Sequence, residues 1–112
     1  MVKFAKIDIA GTSGDNVIVT GSTYPSQQLM ILSYVVVTDT NCLMTFKSGA
    51  SDDMSGPMSI LANGGISASS SFLAQATPFG LMKTVAAGND IIINLDVTAN
   101  VGGHICYYVC SN

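Results

Sequence analysis

The stretch Leu29-Met-Ile-Leu-Ser-Tyr-Val-Val-Val37 decides the fold. It is nine residues long, carries one small polar residue, Ser33, and ends in three consecutive valines. β-Branched and aromatic residues favour a pleated, packed surface and lose rotamer freedom in a helix. The run is too apolar for one face to be wet along its whole length, as in a central strand covered on both sides. It is also far short of the ~20 apolar residues needed to span a bilayer as a helix. A second run, Asp90-Ile-Ile-Ile-Asn-Leu-Asp96, reads as a half-exposed strand. Period 2 puts Ile91, Ile93 and Leu95 on one face and Asp90, Ile92, Asn94 and Asp96 on the other. The last run places His104, Cys106, Tyr108 and Cys110 on one side and Ile105, Tyr107 and Val109 on the opposite side, so both faces are apolar.

The rest of the chain agrees. Ten Ile, ten Val and nine Thr make 29 of 112 residues β-branched, while Glu, Arg and Trp are absent. Helix surfaces are normally built from Glu, Lys, Arg and Gln, and here only four Lys and three Gln are available. Turn clusters recur at residues 11–16, 21–26, 39–41, 47–53, 55–57, 63–65, 67–71, 78, 87–90 and 100–103. Between them lie β-type runs at 2–9, 16–20, 28–38, 42–47, 58–61, 66–69, 81–84, 90–97 and 104–110. Strands spaced every ~8–12 residues imply one all-β domain over residues 1–112, an antiparallel β-sandwich or jelly roll with at most a short helical turn. Ile31, Tyr34, Val36, Phe46, Ile91, Ile93, Leu95 and Ile105 are the expected core.

Charge narrows the function. Seven Asp against four Lys give a net charge of −3, and charged residues are 10% of the chain. Four scattered Lys make no basic stripe, so a nucleic-acid partner is not expected. A membrane partner is not expected either, and residues 1–9 alternate and carry Lys3, Lys6 and Asp8, unlike a signal-peptide core. So weakly charged a surface would be poorly soluble if all of it met water, which implies extensive contact with protein. The three cysteines are odd in number. Cys106 and Cys110 lie about 13 Å apart along one strand, beyond the roughly 7 Å limit between the Cα atoms of a disulfide, so they read as buried thiols.

The residues offer no catalytic constellation. His104 is the only base available to a nucleophilic triad, and a strand histidine bonded to a loop beside Gly102-Gly103 explains it as well. Asp90 and Asp96 stand as possible orienting groups. Asp52-Asp53 has no EF-hand context and reads as a solvated acidic loop. No paired metal-ligand motif or phosphate loop occurs, so no metal or cofactor is expected. Six Met are many for this length, and Met54 and Met58, flanking Ser55-Gly-Pro57, are the best candidates for adaptable contact residues.

Thr45-Phe-Lys-Ser-Gly49, Ser55-Gly-Pro-Met58, Leu61-Ala-Asn-Gly-Gly65, Pro78-Phe-Gly80, Ala87-Gly88, Ile93-Asn-Leu95 and Val101-Gly-Gly-His104 follow one another in an order that resembles small all-β virion proteins of tailed bacteriophages. The resemblance spans residues 29–109, and its members are similar to capsid cement, or decoration, proteins. It implies a structural protein of the virion, without catalytic residues, that binds the outer shell at three-fold or quasi-three-fold positions as a homotrimer on the major capsid protein and is assembled in the host cytoplasm. The expected interface comprises Met1, Val2, Asp52, Asp53, Met54, Met58, Tyr108, Cys110 and Asn112. The rival reading is a carbohydrate- or receptor-binding module of a tail or fibre, using Tyr24 beside Pro25 with Asp15 and Asn16.

Overall fold

The computed structural model describes residues 2–70 and 80–110. Met1, Asn112, Ser71 and the Pro78-Phe79 part of the sequence signature lie outside them. The strands in chain order are β1 (Val2–Val19), β2 (Leu29–Thr38), β3 (Cys42–Ser48), β4 (Asp52–Asp53), β5 (Met58–Ile60), β6 (Gly65–Ser69), β7 (Met82–Lys83) and β8 (Ile91–Val109), with one short 3-10 turn at Gly21–Thr23. Every pairing is antiparallel.

Strand β8 is the spine. Along one side it pairs with β1 over almost its whole length. On the other side its first half pairs with β3, Leu95 opposite Met44 and Ile91 opposite Ser48. Its second half pairs with β2, Val101 opposite Thr38 and Val109 opposite Leu29. The sheet bends between these halves and folds back on itself. One layer is β1–β8–β2–β6 with β7 beside β2, and the other is β1–β8–β3 with β4 and β5 on β3. The layers meet through Tyr34 and Phe46, whose ring centroids are 5.0 Å apart at a tilt of 55°. Tilted rings at this separation are a favourable aromatic geometry. The sandwich is thus a single continuous sheet.

Two expected turns are bends within strands. Residues 11–16 read as a turn, yet β1 continues through them, with register shifts between Ala10 and Gly14 opposite the bend in β8. Gly11 and Gly14 hold φ of +68° and +71°, a region costly to residues with a Cβ. The Gly102-Gly103 cluster likewise lies inside β8. Gly103 has φ +140°, and a Cβ there would collide with the Val35 carbonyl oxygen. Glycine here lets the ladder turn a corner without breaking it. The Asp52-Asp53 loop, in contrast, includes a two-residue strand opposite Ser48 and Lys47.

All eight expected core residues are buried, Tyr34 at 8% being the most exposed of them. Ile31 and Tyr34 both point inward, although they are three apart, because a bulge between Ile31 and Ser33 shifts the period by one. The three cysteines are buried and unpaired.

Candidate functional site: two unlike outer faces

The outer face of the β3 layer carries an internally bonded polar cluster beside exposed Val17 and Leu43. Lys47 Nζ lies 3.2 Å from Asp15 Oδ1 and donates to the Ala50 carbonyl at 3.0 Å. Asn94 Nδ2 donates to Asp15 Oδ1 at 2.7 Å. That bond above all, against the opposing effect of burial and with the help of Lys47, holds the Asp15 carboxyl below the usual carboxylate range. Asp96 Oδ1 accepts the Leu43 N–H at 2.7 Å.

The outer face of the β2 layer differs. Register puts Val2 opposite Tyr108, Phe4 opposite Cys106, and Lys6 opposite His104, with Met30, Ser33 and Val35 next along β2. Val2, Phe4, Val35 and Val37 are exposed, Phe4 at 75%. The run over residues 29–37 therefore has an open apolar side at Val35 and Val37, where full coverage is expected of a central strand. At one end of this face Asp8, Ala10, Val37, Asp39, Asn63, Asn100 and Gly102 line a cleft of about 540 Å³. Its far wall is fixed. Asp39 accepts the Asn100 N–H at 2.9 Å, Asn100 Nδ2 at 2.7 Å and Thr40 Oγ1 at 2.8 Å. The bonds from Asn100, then Thr40, lower the Asp39 pKa.

The expected interface residues divide between the layers. Val2 and Tyr108 are cross-strand neighbours on the apolar face, with Cys110 buried just beyond the end of β8. Asp52 and Asp53 are exposed on the far edge of the other layer. Met54 and Met58 pack partly against the core, and the Met58 sulfur accepts the Tyr34 hydroxyl at 3.7 Å. Segment 52–55 also closes the ladder beside Phe46. The Met54 and Ser55 N–H groups donate to the Phe46 carbonyl, and Ser55 Oγ accepts the Phe46 N–H.

The residues considered for catalysis are apart. His104 is exposed, and its side chain makes no hydrogen bond among the described residues, rather than the loop bond expected of it. Asp90 Oδ1 accepts the Gly21 N–H at 2.6 Å, which anchors the 3-10 turn. No group of three or more His, Cys or Asp able to hold a metal is present among the described residues. The residues of the carbohydrate reading face internal partners. Tyr24 packs on the core and hydrogen-bonds Tyr107. Asn16 accepts from Thr12 Oγ1 and donates to the Gly14 carbonyl. The open apolar face escaped sequence reading because it depends on which strands lie beside which.

No family model matches the chain, and no curated protein matches it. Among solved structures it is similar to the virus-like particle of the extra small virus of the giant freshwater prawn Macrobrachium rosenbergii. That likeness has 14% identity and a TM-score of 0.39, over 96% of this chain and 77% of that one. A likeness this distant carries no argument about what the chain does.

Proposed function

We propose that the chain is a structural protein of a virion, a cement protein on the outer surface of a capsid shell, and not an enzyme. The observation that supports this reading best is the set of exposed apolar side chains on the outer face of the β2 layer. That face presents Val2, Phe4, Val35 and Val37 with Tyr108 beside Val2, and with Lys6, Asp8 and His104 among them, whereas the β3 layer's outer face carries the bonded Lys47–Asp15–Asn94 cluster beside Val17 and Leu43. Exposed apolar clusters on small domains mark contact surfaces. The partner in this reading, the major capsid protein, rests on the resemblance of the sequence signatures to those of small phage virion proteins. In this reading the apolar face lies on the shell and the Lys47–Asp15 face looks outward. Three copies stand around each three-fold or quasi-three-fold position, brought together by the shell, with Asp52 and Asp53 on the edge toward a neighbour. Several weak contacts linked through one rigid shell bind far more tightly than any one alone. A density map of the intact particle is the test. Three copies around shell three-folds, apolar face inward, are expected; density on the tail alone would overturn the reading.

A further inference from the structure

We infer that two copies of this chain pair edge to edge through β1, with a two-fold axis at Ile7, so that each copy's Phe4 enters the cleft of the other. This contact stands independently of the capsid reading.

Among the described residues the far side of β1 is an open sheet edge, for β1 pairs with β8 alone. From Val2 to Ala10 its register with β8 is unbroken, and it contains no proline. An edge of this length offers a row of unpaired N–H and C=O groups to another strand. The other edge strands, β4, β5, β6 and β7, are five residues or fewer.

The side chains select the partner and the register. In an antiparallel pair, directly opposite residues share a face. The even-numbered residues of this segment point outward and the odd-numbered ones inward, where Ile7 and Ile9 are buried. Two copies with their outer faces on the same side must therefore pair even with even, which places a residue on the axis. An axis at Lys6 sets Lys6 against itself, and one at Asp8 sets Asp8 against itself. An axis at Ala5 opposes Lys6 to Phe4 and Asp8 to Val2. An axis at Ile7 opposes each Lys6 to the partner's Asp8, twice by symmetry. It also opposes Phe4 to the partner's Ala10.

Ala10 lines the mouth of the 540 Å³ cleft, together with Asp8, Val37 and Gly102. Opposed residues lie about 5 Å apart at Cβ, so an aromatic ring at position 4 reaches over the small Ala10 side chain into that space. The most exposed large apolar side chain of the described residues and the cleft thus become complementary in the same register that matches the charges. Such a contact is isologous and closes on itself.

The experiment is sedimentation analysis of the purified chain and three variants at low ionic strength, with circular dichroism to confirm folding. Lys6 and Asp8 side chains are 81% and 69% exposed and only 4.0 Å from each other within a chain, so replacing them leaves the core untouched. The wild-type chain is expected at twice its 11.6 kDa mass. Lys6→Asp alone and Asp8→Lys alone should each weaken association at least about tenfold, because like charges then face across the axis. An equimolar mixture of these two variants puts only opposite charges across it and should dimerise again. Phe4→Ala should weaken the dimer with both charges in place. A monomeric or trimeric wild-type chain, single variants that still dimerise as the wild type does, or a mixture that stays monomeric would each overturn the inference.

Discussion

At the level of single residues the core has the clearest consequences. Ile93 is fully buried near the start of β8, between Phe46 and Asn16 on its two sides. Ile93→Ala removes packing from both layers and should cost about 2–5 kcal/mol, measured by urea unfolding. Gly103→Ala should be at least as damaging, since its Cβ has no room beside the Val35 carbonyl. Tyr107 gives a pH signature. Burial first, then its bond to Tyr24, pushes the phenol up from 10.0 to about 12. The folded state therefore holds this proton more tightly than the unfolded chain. That contribution is complete below pH 10 and is lost as pH rises from 10 to about 12. Tyr107→Phe should flatten the fall in stability across that window; an unchanged slope would count against the buried phenol as its cause. Core residues were legible in the sequence because a two-residue period is local information. The partial packing of Met54 and Met58 against the core was not, because a methionine beside a turn looks the same whether it meets a core or a partner.

At the level of elements, β1 and β8 carry the architecture. Each is read from sequence as two short strands joined by a glycine turn, and each is one bent strand of 18 or 19 residues. The short strands were legible, with ends shifted by a residue or two. Their continuity was not, because glycine at positive φ marks a hairpin and a bend alike. Alanine at both Gly11 and Gly14 should destabilise the fold by about 1–2 kcal/mol per site, the cost of a left-handed conformation for an L-residue. An unaffected unfolding midpoint would show that the corner does not depend on them. Segment 52–55 supports the strand holding Phe46, so deleting it would disturb the core as well as the surface. Asp52→Ser with Asp53→Ser is the cleaner probe. It should leave the melting temperature within a degree or so, as surface changes away from special features usually do, and lower occupancy on the shell.

At the level of the whole molecule, the surface is divided. Low charge in the sequence implied contact with other protein, but composition carries no location. Only the pairing of β1, β8 and β2 gathers Val2, Phe4, Val35 and Val37 on one side while Lys47, Asp15 and Asn94 bond one another on the other. A cement protein with this division links neighbouring shell subunits and so raises the barrier to their separation. The most direct test is to heat particles with and without this protein together and record the temperature of shell rupture. The cement account predicts that fully occupied particles rupture at the higher temperature and that the difference shrinks in proportion to occupancy. Equal rupture temperatures at full occupancy would contradict it.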